Sequence, residues 1–592
     1  MMTKDRNAPW SRIAAVPRIP AVPRIPAVPR IAADAASKRP TRVPRIAAVP
    51  IAAMVVALAL GGGGCAQPDD YDVLITGGTL FDGSGQPGSV GDLAMKDGRI
   101  VAIGDVEGSA ELTIDAEGLY VTPGFFDMHS HSESARLSHG GQGPSFALQG
   151  ITTEIYGETS SMGPVGGLRR GSEERWTTLG QFLDYMENMG MAANFGSYVG
   201  SGGVRAMVIG YDDREPTAEE LEQMRAIVEE AMRDGALGVS SGMSYVPNIY
   251  MSTAELTALV SAAASFGGIY ATHARTMNGT DPNAIREAIE IARGAGVPLH
   301  FFHLNSTSST RADEFLAIID EARAEGMQVT GDSYAYTWGI TGLSSYIPAW
   351  AQEGGRQAML ERLRDPELRA RIAAGFVDEP PYLANIGWHH IRLGVRDPEV
   401  NGKLVSEVAE LRGQPPEEVF MDIVLEQEGS GIVIDWNNEE ETLQQVLAQP
   451  FVAGGTDGGA LGLDWDDQPP LVHPRHLGTF PRWFGTYVEE VRLFTWEEGV
   501  RKLTSLPASI LGLEDRGRLE EGYFADVLVI DPRSIRGVAT FEDPFHYAQG
   551  MRFVFVNGEA VVAEGELTGA LPGRAIRGKG WSPDSGTRQP SE

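Results

Sequence analysis

Two periodicities alternate along most of this chain. Between residues 124 and 505, short apolar runs of strand length are followed by longer segments whose apolar residues recur at helical spacing. The apolar runs end near His129, Glu158, Gly200, Ser241, His273, Asn305, Asp332, Trp436 and Asp457. The helices between them have defined starts. Thr217-Ala-Glu-Glu220 reads as a capping box ahead of Leu221, Met224, Ile227, Val228 and Ala231, and Thr253 and Pro282 open two others. This alternation predicts an α/β protein with a parallel sheet, closed as a (β/α)8 barrel of the TIM type. Nine runs are one more than such a barrel holds, so Gly431–Trp436 is assigned to an insertion.

The flanking segments show a different pattern. Tyr71–Thr76, Asp92–Lys96, Arg99–Ile103 and Glu111–Ile114 read as strands, punctuated by turns such as Asp82-Gly83 and Asp97-Gly98. Similar pieces return at Ala525–Ile530 and Arg552–Val556, the latter followed by Asn557-Gly558. Each group is too small to bury a core alone. The two are therefore expected to join in one small β-sandwich domain formed from both ends of the mature chain. The resulting plan is a leader and signal segment over 1–64, a tether over 65–70, sandwich over 71–123, barrel over 124–505, sandwich again over 506–575, and a tail over 576–592.

Charge and cysteine usage narrow the function classes. The net charge is −32, and residues 1–64 hold ten Lys/Arg against two Asp/Glu, so the remainder is more acidic still. That acidity argues against a nucleic-acid partner. The lone cysteine, Cys65, excludes an internal disulfide framework and any cysteine zinc cluster. It follows Arg42, Arg45, the apolar run Ile51–Leu60 and four glycines, the order of a secretory signal. Small residues directly before a cysteine resemble a bacterial lipobox, with Gly62 where a leucine-like residue is usual. The expectation is export to the periplasm or cell envelope with Cys65 lipidated, the only membrane attachment foreseen. The repeats between Arg18 and Arg30 cannot build a core and suggest an over-extended gene start.

The candidate chemistry sits where the apolar runs end. His129 and His131, in Phe125-Phe-Asp-Met-His-Ser-His131, lie at the spacing that points two side chains to one side of an extended segment. Two imidazoles so placed can grip one metal ion. Glu158, His273, His303 and Asp457 each close a later run, so five separate segments deliver metal-ligand residue types to one end of the expected barrel. That end is where barrel enzymes carry their chemistry. Glu158 could bridge two metals or complete the coordination of one. Glu154 is its rival, but four residues earlier on a strand puts it about 13 Å deeper. His300, three residues before His303, faces the other way and is left out; His473 could line the site mouth from a loop. Asp457 is the candidate catalytic base for a metal-activated water, although an aspartate before Gly458-Gly459 also suits a turn.

Several stretches together resemble the amidohydrolase superfamily, and within it the N-acyl-D-amino-acid deacylases (D-aminoacylases). They are Val121-Thr-Pro-Gly-Phe-Phe-Asp-Met-His-Ser-His131, Gln149–Thr153, Gly238–Gly242, Tyr270–His273, Thr456–Gly458, His473-Pro-Arg475, Gly478–Arg482 and Gly517–Asp526. The likeness runs from about Tyr71 to Arg574. It implies zinc, one or two ions, held by His129, His131, His273 and His303, with Asp457 as general base and acid. It also implies hydrolysis of the amide of an N-acyl-D-amino acid.

Three positions depart from that family. No cysteine stands in Gly157-Glu-Thr-Ser160, where relatives place a metal-binding one, and Glu158 is the expected substitute. Asn305 stands where a lysine is common, and Arg275 lacks the acidic residue that often follows it. Tyr245, Arg275, Asn305 and Tyr334 are the candidates for holding the substrate. A dipeptidase or cyclic-amide hydrolase would use the same metal site, and a lipid-anchored binding protein on an inactive barrel would not need it.

Overall fold

The apolar runs become strands because parallel strands are covered on both faces. Every residue of Ile151–Tyr156, Gly238–Gly242 and Ile269–His273 is buried. The computed structural model describes residues 70–165, 175–275, 281–378, 386–462 and 471–583. The leader and Cys65 lie outside the described residues, so the export and lipidation expectations have no structural counterpart. Among the described residues, no helix is long and apolar enough to cross a membrane.

Eight strands form the barrel. They are Phe125–Asp127, Ile151–Tyr156, Asn194–Ser197 continuing as Val199–Gly200, Gly238–Gly242, Ile269–His273, Leu299–Phe301, Val329–Ser333 and Val452–Gly454. Each pairs in parallel with the next. The third is broken at Tyr198, its first half pairing with the second strand and its second half with the fourth. Backbone contacts close the ring between last and first strands. Met128 N–H donates to the Gly454 carbonyl at 3.3 Å, and Asp457 N–H donates to the His129 carbonyl at 2.8 Å. Amphipathic helices surround the strands. Thr217 caps Ala218–Asp234 as the sequence predicts, with Glu220 reaching back to the Thr217 N–H at 2.7 Å.

Ile432–Trp436 is indeed not a barrel strand. It lies in the middle of a three-stranded antiparallel sheet, between Trp338–Gly342 and Ile391–Gly394. This insertion has its own apolar core, including Leu343, Phe376, Ile391, Val408, Phe420 and Val433. It stands over the strand ends and lends Thr341, Asp435 and Asn437 to the cavity there.

The terminal segments join as expected. Nine strands hydrogen-bond into one mixed sheet, in which Val527–Ile530 pairs antiparallel with Tyr120–Pro123. Val73, Ile75, Leu93 and Ile100 from the early strands share a core with Val527, Val529 and Phe555 from the late ones. Neither group could bury those side chains alone, which is why this domain needs both ends of the chain. The following segment returns along the barrel, with Ile576 N–H donating to the Phe195 carbonyl at 2.7 Å.

Candidate metal centre

Six side chains from five loops and strand ends converge at one mouth of the barrel. His129 and His131 leave the first strand together, and both present Nε2 inward. Gly157 then turns the chain out of the second strand at φ 97°, a conformation that side chains resist; a Cβ there would lie 2.6 Å from the Tyr198 carbonyl oxygen. This turn carries Glu158 across the mouth. Its Oε2 lies 3.1 Å from His129 Nε2 and 3.3 Å from His131 Nε2. Its Oε1 faces the other way, 3.6 Å from His273 Nδ1, and is buried without a hydrogen-bond partner. His273 Nδ1 and His303 Nε2 are 2.9 Å apart. Asp457 Oδ1 lies 3.2 Å from His131 Nε2 and 3.7 Å from His129 Nε2, and its Oδ2 is 4.0 Å from His303 Nε2. The donors form two groups, one of His129, His131, Glu158 and Asp457 and one of Glu158, His273 and His303. Within each group the ligand atoms are within 4.8 Å of one another. Glu158 belongs to both.

The backbone is strained at two of these positions. His303 has φ 29° and Asp457 φ 48°, in the left-handed region. Non-glycine residues there cost of order 1–3 kcal/mol each, and such strain concentrates at functional sites. Beneath them, Asp127 stitches the first and last barrel strands. Its carboxyl accepts from the Thr456 hydroxyl at 2.5 Å, from Thr456 N–H at 2.8 Å and from His129 N–H at 3.2 Å. Asp127 thereby fixes the spacing of His129 and Asp457. No local pattern reveals this role, because Thr456 lies more than three hundred residues away in the sequence.

The electrostatics fit a cation. Burial raises the Asp457 carboxyl, but Arg475, His129 and the His131 hydrogen bond outweigh it and hold it well below the usual carboxylate range. Burial opposes the charge of Glu158 too, and His129 and His131 prevail in the same direction. Burial and then the neighbouring His303 bring His273 down to about 3, so it stays neutral, as a ligand must be. His131 is pulled down by burial but carried up to about 10 by its hydrogen bonds with Asp457 and Glu158. The two carboxylates thus gather positive charge, as protons on the H-x-H imidazoles or as a divalent ion whose binding displaces those protons.

The His273 tautomer follows from its partners. The Ser244 hydroxyl donates to the Ala274 carbonyl at 3.2 Å and lies 3.1 Å from His273 Nε2. Nε2 therefore carries the ring proton and donates to Ser244, which leaves the Nδ1 lone pair facing the site. Imidazoles and carboxylates in this number suit a borderline divalent cation, and the unpartnered Glu158 Oε1 is an acceptor that such an ion would satisfy.

The structure also sorts the remaining candidates. Tyr245, Asn305 and Tyr334 line a cavity beside His273, His303 and Asp457. Arg275 does not reach it. Its guanidinium is held by both Glu287 oxygens at 2.7 Å and donates to the Ile249 and Met251 carbonyls, so the sequence-based assignment to substrate is corrected. Glu154 is fully buried and paired with Arg136, away from both ligand groups. His300 bonds to Thr330 and Asp332, as its exclusion required. His473 does not line the mouth either. It is buried, with Nε2 donating to the Trp338 carbonyl and Nδ1 accepting from the Arg475 N–H.

That brace positions a residue to which sequence reasoning assigns no role. Arg475 reaches Asp457 Oδ2 at 2.7 Å, its guanidinium carbon is 5.0 Å from the centre of the Tyr334 ring, and its buried Nε has no partner. The motif His473-Pro-Arg475 is visible in the sequence, but nothing local tells which of its side chains turns inward.

The comparisons with known proteins agree with this geometry. Residues 112–562 match the model of the amidohydrolase family. The chain is 33% identical over 520 residues to the D-aminoacylase of Alcaligenes xylosoxydans xylosoxydans, covering 86% of this chain and 97% of that one. It superposes on a D-aminoacylase crystal structure with a TM-score of 0.71 at 31% identity, covering 86% of this chain and all of that one. An N-acyl-D-glutamate deacylase from Bordetella bronchiseptica, crystallised with zinc and a phosphonate inhibitor, gives a TM-score of 0.71 at 28% identity, over 86% of this chain and 99% of that one. With its ligand groups assembled at the mouth of a TIM-type barrel, this chain is a metal-dependent amidohydrolase acting on a C–N bond, and it belongs to the D-aminoacylase/N-acyl-D-amino-acid deacylase family.

Proposed function

We propose that this enzyme removes the acyl group from N-acyl-D-amino acids, with zinc as its metal. The observation that carries the reading is Arg475. A buried guanidinium with an unpartnered Nε stands directly behind two lining residues of the cavity, the candidate base Asp457 and the Tyr334 ring, and in this reading its charge draws the carboxylate of an amino-acid substrate to that side. A plain hydantoin ring lacks that group, so this placement favours an open-chain N-acyl amino acid over it. The likenesses to a D-aminoacylase and to an N-acyl-D-glutamate deacylase crystallised with zinc support the D configuration and the choice of metal.

In this reading His129, His131, Glu158, His273, His303 and Asp457 would hold the metal. Held there, a divalent ion would supply Lewis-acid chemistry, polarising the amide carbonyl and lowering the pKa of water. An ionised Asp457, though a weak base, then suffices to accept the proton from the attacking water. Arg475 holds Oδ2 and so aims Oδ1 toward His131 and the incoming water. After the tetrahedral stage, Asp457 returns the proton to the leaving nitrogen. Tyr245, beside His273, and Tyr334, beside His303, would confine the substrate in the cavity they line.

The test is a panel of N-acetyl-D- and N-acetyl-L-amino acids, dipeptides and hydantoins offered to zinc-loaded enzyme. The expected result is turnover of N-acetyl-D-amino acids well above their L enantiomers. Turnover of dipeptides or hydantoins alone would replace this reading with one of its rivals.

A further inference from the structure

The wall of the cavity away from the metal ligands carries two buried amide oxygens without a partner and a buried carboxylate. The Tyr334 hydroxyl receives the amide N–H groups of Asn305, at 3.1 Å, and Asn437, at 2.8 Å. Both asparagines are more than nine-tenths buried, both line the cavity, and the Oδ1 of each has no hydrogen-bond partner. This does not depend on which way round both amides lie. A phenol has one proton, so at most one amide oxygen can accept from it. At least one asparagine must donate through Nδ2 and leave its carbonyl oxygen without that partner.

Asp435 lines the same wall and is itself buried, with Oδ2 accepting from the Tyr346 hydroxyl at 2.7 Å. Hydroxyls can donate or accept, but amide oxygens and a carboxylate only accept. Among the described lining residues there is no lysine or arginine; Arg475 stands behind the lining, against Asp457 and the Tyr334 ring. Gly339 makes the arrangement possible, since a Cβ there would collide with the Asn437 amide. Asp435, Asn437 and Gly339 all come from the insertion rather than the barrel.

We propose that Asn305, Asn437 and Asp435 form a subsite for a substrate side chain that ends in a hydrogen-bond-donating nitrogen, a carboxamide or an ammonium group. The inference rests on the N-acyl-D-amino acid reading above, in which Arg475 takes the α-carboxylate. The Tyr334 ring then lies between the two ends of the substrate, with Arg475 near its face and the asparagine amides at its hydroxyl. An acidic side chain would lie against the buried Asp435 carboxylate and the amide oxygens with no cation lining the wall, and an aliphatic one would leave the amide oxygens unpaired. Sites built to pair a polar group reject analogues lacking it far more strongly than apolar pockets reject a lost methylene.

The experiment compares kcat/KM of the zinc-loaded enzyme for N-acetyl-D-glutamine, N-acetyl-D-lysine, N-acetyl-D-leucine and N-acetyl-D-glutamate. Glutamine and lysine are expected to exceed leucine and glutamate by at least about tenfold. Asn437→Leu is expected to lower the glutamine-to-leucine ratio by at least about tenfold, a ratio that a general loss of folded enzyme does not move. Asp435→Asn is expected to lower the lysine-to-glutamine ratio, and an unchanged ratio would overturn the part given to Asp435. Preference for leucine or glutamate, or an unchanged glutamine-to-leucine ratio in Asn437→Leu, would overturn the subsite while leaving the deacylase reading intact. Failure to hydrolyse any of the four would overturn both.

Discussion

Asp457→Asn is expected to lower kcat/KM by about 10²–10⁴-fold, the usual contribution of a positioned general base and acid. The loss should appear in kcat, because an amide at this position keeps one oxygen to accept from Arg475 but cannot take up a proton. Elemental analysis of the purified variant should show metal bound, which separates lost proton transfer from a lost site. A fall of only a few-fold, with metal retained, would remove Asp457 from the chemistry and leave it as a turn residue before Gly458.

Glu158→Gln is expected to cut the affinity for one of two metal ions by at least about 100-fold and to leave the other in place. Outer partners of metal ligands already account for about 10–100-fold in affinity, and here a direct ligand loses its charge and one of its acceptor oxygens. Glu158 is singled out because its oxygens diverge. Oε2 is turned to the H-x-H pair and Oε1 to His273. Metal stoichiometry against competing chelator measures the effect. Two ions retained with unchanged affinity would show that Glu158 does not bridge.

Much of this site is legible in the amino-acid sequence because its logic is local. His129 and His131 are two residues apart, and His273, His303 and Asp457 each terminate an apolar run that a parallel strand needs on both faces. The count of strands likewise marks Ile432–Trp436 as the odd one. Its partners, Trp338–Gly342 and Ile391–Gly394, carry no comparable signal because they are short and one is largely half-exposed. Their pairing also spans some forty to a hundred residues of intervening chain.

The substrate wall is less legible for the same reason. Arg275 looks like a strand-end cation facing the site, but Glu287, on the helix that follows, captures it. Arg475 opens a short helix and Asn437 follows a strand, and nothing local tells which way either side chain turns. Only the fold reveals that one stands behind Asp457 and the other beside Tyr334. Conversely, the departure of Asn305 from the lysine common among relatives is visible in the sequence, and its meaning comes from the unpaired oxygen that the structure shows.

Metal removal and return tests the catalytic metal centre most directly. Protein stripped by a chelator should lose hydrolysis of N-acetyl-D-amino acids while keeping its folded circular dichroism signal, since the barrel core does not depend on the ligands. Stoichiometric zinc should restore the activity. Full activity in the stripped protein, verified metal-free by elemental analysis, would contradict the assignment of His129, His131, Glu158, His273, His303 and Asp457 to a catalytic metal centre.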